Sequence, residues 1–93
     1  MNKDIAKLIQ QTAAVLKASG AKEVYIFGSA AKGTMQEGSD VDFAVAGLPP
    51  QEFFKALSAA SRLSSGALDL VDLDEATPFT RYLKEEGELR RVA

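Results

Sequence analysis

The sequence contains no cysteine, no histidine and no tryptophan. Without cysteine, a disulfide framework and a thiolate metal site are both excluded. Without histidine, Ser-His and Cys-His catalytic mechanisms are excluded, together with any zinc site that depends on imidazole. Any metal ion must therefore be held by oxygen ligands, which is typical of Mg²⁺ or Mn²⁺.

Long apolar runs and a strong excess of one charge are absent as well. No stretch approaches the length of a membrane-spanning helix, and the N-terminal residues lack the apolar core of a signal peptide. The net charge of −2 argues against a nucleic-acid coat or a polybasic membrane anchor. We therefore expect a cytoplasmic protein that binds no membrane and makes no direct contact with nucleic acid.

The 93 residues, 46% of them hydrophobic and 26% charged, predict one small domain over residues 1–93. Apolar residues at helical spacing alternate along the chain with short β-branched and aromatic runs. Helices are predicted at 3–19, from Pro50, and from Pro78 to about Glu86, with one helical turn at 29–32 and strands at 24–27, 40–46 and 67–73. Phe53, Phe54, Leu57, Tyr25 and Tyr82 are predicted to be core residues.

The order α-β-α-β-α-β-α predicts an α/β (α+β) fold with a small mixed sheet and helices mainly on one face. The sheet has three strands, or four if the C-terminal residues add an edge strand rather than fray. Because the connection between the first two strands is short for a parallel crossover, a mixed sheet is favoured over an all-parallel one.

Two carboxylates, Asp40 and Asp42, lie two residues apart on the predicted second strand, so their side chains would point from the same face. Gly28 and Ser29 form a turn before it that can approach a phosphate closely, and Lys32 adds a positive charge one turn later. Asp69 is the candidate third acid, because its own strand is otherwise apolar. Such a set can hold divalent cations and a polyphosphate together. A solvated strand end is the alternative interpretation of Asp40 and Asp42.

The segment that carries this pattern is IFGSAAKGTMQEGSDVDFAV, in which ten residues separate Gly-Ser from Asp-x-Asp. It resembles the signature of the DNA polymerase β-like nucleotidyltransferase superfamily. The later LDLVDL, with a proline-started helix and Glu-Gly after it, resembles the minimal nucleotidyltransferases of the MntA antitoxin type. The resemblance covers nearly the whole chain. Ala30 and Lys32 stand where many members carry arginine, and lysine lacks the bidentate fork of arginine.

The resemblance implies a polymerase β-like core and an enzyme that transfers AMP from ATP to an acceptor hydroxyl. It implies two Mg²⁺ ions, with Mn²⁺ as a substitute, held by Asp40, Asp42 and Asp69 as the catalytic acids. The nucleotide phosphates would be bound by Gly28, Ser29, Lys32, Gly33 and Ser39. The implied partner is a HEPN-domain toxin encoded nearby, and the implied acceptor is a tyrosine of that toxin.

Two other functions compete with this hypothesis. The first is a binding antitoxin that neutralises its partner by complex formation without catalysis. The second is a small-molecule adenylyltransferase related to aminoglycoside-modifying enzymes, whose additional substrate domain this chain lacks. No segment indicates a purine pocket, so the base preference stays open at this point.

Overall fold

The computed structural model of the chain describes residues 3–33, 41–63 and 68–93. The helices are α1 (Lys3–Ala18), α2 (Ser29–Lys32), α3 (Phe53–Ser61), which follows a 3-10 turn at Pro50–Glu52, and α4 (Pro78–Glu85); the strands are β1 (Glu23–Phe27), β2 (Val41–Ala46), β3 (Leu68–Asp72) and β4 (Arg90–Arg91). Over these residues, no helix combines the length and the apolar character that crossing a membrane requires.

The four strands form one mixed sheet in the order β3-β2-β1-β4. Strand β1 is antiparallel to both β2 and β4, whereas β2 and β3 are parallel. The parallel pair is connected through α3, which gives the chain the length needed to return to the same end of the sheet. The predicted mixed sheet is confirmed, and the C-terminal residues supply its fourth strand.

Helices α1 and α3 cover one face of the sheet, and α4 lies on the other. The first face is closed by the larger core, which includes Leu16 of α1, Val24 of β1 and Phe43 of β2, all fully buried. On the opposite face, Leu83 of α4 packs with Phe27, Ala44 and Leu73 in a smaller cluster. Because this second cluster is small, most of the apolar burial is on the side of α1 and α3, as the alternation along β2 predicts.

Helix α4 begins at the predicted residue because its first turn is capped. Thr80 N donates to Thr77 Oγ1 over 3.1 Å and Thr77 N donates to Thr80 Oγ1 over 3.0 Å, so the two threonines form a reciprocal capping box. Pro78 occupies the N1 position, where the missing amide hydrogen costs nothing. The Thr77-Pro78 prediction is confirmed.

Two predicted core aromatics are exposed instead. Phe54 is 78% exposed and Tyr82 is 50% exposed. The buried stripe of α3 runs through Ala56 and Ala60, and Phe54 falls outside it and touches only the neighbouring ring of Phe53 among the described aromatics. Helical spacing indicates which side of a helix is buried but not how wide the buried face is, so the prediction that Phe54 and Tyr82 are core residues is wrong.

A third predicted core residue, Tyr25, is half-buried on β1. Its hydroxyl donates a hydrogen bond to a carboxylate oxygen of Glu23. This hydrogen bond, helped by burial, raises the pKa of the Tyr25 phenol above its ordinary value. The Tyr25 hydroxyl is therefore kept neutral and partnered.

Replacing each of the two buried threonines by valine is expected to change the stability of the fold in opposite directions. Thr12 in α1 is fully buried and its hydroxyl has no hydrogen-bond partner, whereas Thr80 Oγ1 donates to Glu75 O over 2.7 Å. Thr12→Val removes a desolvated hydroxyl and should stabilise the fold by about 1 kcal/mol, raising Tm by roughly 4–8 °C. Thr80→Val breaks the cap and should destabilise it by about 1–3 kcal/mol. Thermal denaturation measures both, and a loss of stability in Thr12→Val would contradict the first expectation.

Candidate functional site

Asp42 and Asp69 lie side by side on neighbouring strands. They are the second residues of β2 and β3, and the parallel register pairs them with each other. Paired residues point to the same face of a sheet, here the face opposite α1 and α3. Asp42 is half-buried and Asp69 is exposed. The sheet thus brings together two of the three carboxylates that the sequence pattern singles out.

The end of β1 places the Gly28 turn against Asp42. Phe27 is paired with Asp42 in antiparallel register, and Gly28 follows with φ 66° and ψ −143°. A Cβ atom at position 28 would lie 2.6 Å from Asp42 Oδ2, which is closer than van der Waals contact allows. Glycine is required here because other residues avoid this backbone conformation and because the carboxylate occupies the space.

Helix α2 is a single turn that starts directly after Gly28. Lys32 N donates to Gly28 O over 3.2 Å, so the turn closes on the glycine itself. Ser29 is half-buried at the first position, where the amide has no acceptor within the helix. Ala30 is fully buried in the core beneath α1 and α3, so this position contributes packing and no charge. Ser29 and Lys32 are therefore the polar residues of the turn.

Lys32 faces a weak competing partner. Its Nζ lies 4.0 Å from Glu88 Oε2, and the two side chains are 64% and 30% exposed. A long ion pair in solvent contributes little to stability, so the ammonium group can leave Glu88 for a more highly charged anion. Gly33 follows with φ 73° and ends the turn. The lysine thus lies at the other end of the turn from Ser29, with its ammonium group exposed.

The remaining two predicted site residues, Ser39 and Asp40, lie outside the described residues. Across the described ranges, no group of three or more carboxylates lies close enough to hold a metal ion. The described oxygen donors are nevertheless the carboxylate of Asp42, which lies against Gly28, and that of its register partner Asp69, with the Ser29 hydroxyl on the residue after the glycine. Hard oxygen donors of this kind fit Mg²⁺ or Mn²⁺, and Asp42 Oδ2 occupies the space that a side chain at position 28 would need.

Two residues near the site were not found by sequence reasoning. Glu88 lies beside Lys32 because the chain after α4 returns to pair β4 with β1. No local sequence pattern predicts this strand pairing. Phe79 lies on α4 with its ring centroid 5.9 Å from that of Phe27, at an interplanar angle of 68°. The start of α4 at Pro78 was a usable signal for Phe79, because it puts this residue within the first turn.

Comparison with known proteins gives one family for nearly the whole chain. The family model for "Polymerase beta, Nucleotidyltransferase" matches residues 3–89. No curated protein matches the chain in sequence.

Solved structures share the fold at low sequence identity. A protein assigned as a minimal nucleotidyltransferase is 22% identical with a TM-score of 0.71, and the match covers 100% of this chain and 96% of that one. A toxin–antitoxin structure with AMP-PNP is 22% identical with a TM-score of 0.69, covering 88% and 70% of the two chains. A variant of the toxin–antitoxin pair MntA-HpeT is 17% identical with a TM-score of 0.66, covering 87% and 68%. At these identities the likeness shows a common fold.

Proposed function

The chain belongs to the polymerase beta nucleotidyltransferase family, and we propose that it transfers AMP from ATP to an acceptor hydroxyl. The observation that carries the proposal is the row formed by the Gly28 turn, Asp42 and Asp69. Register places the two carboxylates on one face, and the glycine turn is built around the first of them. This arrangement lets one side of the site hold phosphate while the other holds cations.

In the proposed mechanism, Asp40, Asp42 and Asp69 would hold two Mg²⁺ ions. When bound, the ions would neutralise the negative charge that develops on the phosphates. The amides and side chains of the turn at Gly28 and Ser29, with Lys32, bind the phosphates and fix their orientation. Gly33 and Ser39 contribute further nucleotide contacts. Fixed orientation of the α-phosphate against the acceptor accounts for much of the expected acceleration.

The group transfer proceeds in line at the α-phosphate. The acceptor oxygen forms a bond to the α-phosphorus, and the bond from that phosphorus to the bridging oxygen of the β-phosphate breaks. Pyrophosphate leaves with the electron pair of the broken bond. The proton of the acceptor hydroxyl passes to the Asp69 carboxylate, which is exposed and therefore accessible to a macromolecular acceptor.

We propose that the acceptor is a tyrosine of a partner toxin with a HEPN domain, in the cytoplasm. The support is the shared fold with solved toxin–antitoxin structures, one of which was crystallised with AMP-PNP. Asp69 is exposed with respect to the described residues, which favours an acceptor brought by another protein over one bound in a closed pocket.

The proposal is tested by incubating the chain with ATP labelled at the α-phosphate, Mg²⁺ and the toxin encoded beside it. The expected result is label on the toxin, located on a tyrosine by mass spectrometry, with release of pyrophosphate. Label that fails to reach any acceptor in the presence of Mg²⁺ or Mn²⁺ would sink the proposal.

A second candidate is an antitoxin that neutralises its partner by binding alone. The exposed aromatic side chains of Phe54 and Tyr82 favour it, because protein interfaces are enriched in such residues. Under this alternative, the double variant Asp40→Asn/Asp42→Asn still neutralises the toxin. Under the transferase proposal, the double variant still forms the complex but leaves the toxin active.

A further inference from the structure

We propose that the exposed ring of Phe79 is the platform on which the base of the nucleotide stacks. This inference rests on the proposed nucleotidyl transfer and adds the residue that distinguishes a nucleotide from a bare polyphosphate. Nothing in the sequence pattern identifies a base-binding segment, so the residue has to come from the tertiary structure.

The first observation is the unusual exposure of this phenylalanine. Phe79 is 48% exposed although it lies on the amphipathic helix α4, whose residues Thr80 and Leu83 are buried. Its ring meets Phe27 in an edge-to-face contact, with centroids 5.9 Å apart. The ring is thus held by another aromatic side chain, and about half of the residue is open to solvent.

The second observation is the position of this contact relative to the carboxylates. Phe27 is paired with Asp42, and Asp42 with Asp69, so Phe27 and the two acids form one row across one face of the sheet. Phe79 packs on the end of that row.

Helix α4 explains why this ring borders the site. Leu83 covers Ala44, which lies two residues beyond Asp42 on β2, and packs with Leu73 beyond β3. The apolar cover therefore includes Phe27, at one end of the row, and Ala44, next to Asp42 on the same face of β2. Phe79 stands at the boundary between the covered part of the face and the part that carries the carboxylates.

An aromatic platform at this boundary suits a nucleobase. Every base has a π-face, and stacking on an aromatic side chain strengthens binding by about 5- to 100-fold per base without strong preference among bases. Phe79 contacts Phe27, the residue directly before Gly28, so the ring lies beside the turn that is proposed to bind the phosphates of the same nucleotide. Stacking on Phe79 then predicts a clear advantage of ATP over tripolyphosphate and a weak preference among ATP, GTP and CTP.

The other exposed aromatics do not share this location. Phe54 belongs to α3, on the opposite face of the sheet. Tyr82 is on the same helix as Phe79, but it lines a groove of about 320 Å³ on the outer side of α4 with Arg81 and Glu85. Tyr82 is therefore a matched control, because it is similarly exposed on the same helix and, among the described residues, makes no ring contact with Phe27.

The experiment compares three full-length variants, Phe79→Leu, Phe79→Tyr and Tyr82→Leu, by isothermal titration with ATP and with inorganic tripolyphosphate, each in Mg²⁺. Leucine keeps an apolar side chain against Phe27 but removes the stacking plane, whereas tyrosine keeps it. Circular dichroism and thermal denaturation establish that each variant is folded.

Phe79→Leu is expected to weaken ATP binding by about 5- to 100-fold and to change tripolyphosphate binding less than twofold. In transfer assays it should raise KM for ATP with little change in kcat. Phe79→Tyr should retain the wild-type affinity for ATP, and Tyr82→Leu should bind both ATP and tripolyphosphate as the wild type does.

Equal weakening of ATP and tripolyphosphate by Phe79→Leu would assign the residue a structural role and overturn the inference. Unchanged ATP affinity in Phe79→Leu would overturn it as well, while transfer by the wild type would leave the proposed function standing. A wild-type chain that binds neither ligand would overturn both.

Discussion

Asp42→Asn is expected to lower the rate of AMP transfer by about 10³-fold or more while leaving the chain folded. Asparagine has nearly the shape of aspartate but is neutral, so it holds a divalent cation poorly. Each 1.4 kcal/mol of lost transition-state stabilisation slows the reaction by about tenfold, so a loss of about 4 kcal/mol gives this decrease in rate. The rate of label transfer from ATP to the toxin, measured at saturating Mg²⁺, tests this expectation.

Asp72→Asn is the matched control for this substitution. Asp72 ends β3 in register with Val45, a residue of the core beneath α1 and α3, so its side chain belongs to the face opposite Asp69. Its Oδ1 accepts a hydrogen bond from Asp74 N over 2.9 Å, which asparagine can also accept. The same chemical change on the other face should therefore leave transfer within about twofold of wild type. Transfer by Asp42→Asn at the rate of Asp72→Asn would refute the assignment of Asp42.

Gly28→Ala is expected to lower transfer by about 10²-fold and to destabilise the fold by roughly 2–4 kcal/mol. The added Cβ would lie 2.6 Å from Asp42 Oδ2, so either the carboxylate or the turn has to move. A displacement of about 1 Å at a reacting group is enough for a loss of that size in rate. The stability cost has a second source, because φ 66° with ψ −143° is disfavoured for any residue with a side chain.

Gly87→Ala separates the backbone cost from the collision with Asp42. Gly87 has φ 67°, close to the φ of Gly28, but a Cβ there would meet nothing within 4 Å. We expect this variant to lose about 1 kcal/mol of stability and none of its transfer activity. Chemical denaturation and the transfer assay give the two quantities for each variant. If Gly28→Ala behaves like Gly87→Ala in both, the contact between the turn and Asp42 has no functional weight.

The pairing of Lys32 with Glu88 gives a smaller effect in the opposite direction. The two charged groups are 4.0 Å apart, and the lysine side chain is largely in solvent, so the pair contributes little to the fold. Glu88→Gln frees the ammonium group of Lys32 and should tighten tripolyphosphate binding by roughly two- to fivefold at low salt. Titration at two salt concentrations checks this, since the gain should shrink as screening increases. Weaker binding in Glu88→Gln would show that the carboxylate orders Lys32 for the ligand.

The local features of the fold could be predicted from the sequence because neighbouring residues determine them. Thr77 and Pro78 start α4 through a capping box and a ring-constrained φ, which require only residues within one turn. The short connection after Phe27 disfavours a parallel crossover to β2. Period-two alternation places the side chains of Asp42 and Phe43 on opposite faces of that strand. These features depend on residues close together in the sequence, so they can be predicted without knowing how the rest of the chain folds.

The order of the elements, the mixed character of the sheet and the candidate carboxylates could therefore be inferred from the sequence. The tertiary structure alone decided that Asp42 and Asp69 share a register, that Asp42 Oδ2 fills the space beside Gly28 and that Phe79 stands at the end of their row. It also decided the exposure of Phe54, which the width of a buried helix face controls. Register and burial depend on contacts between residues far apart in the chain, whereas the periodicity of one element does not indicate which other elements pack against it.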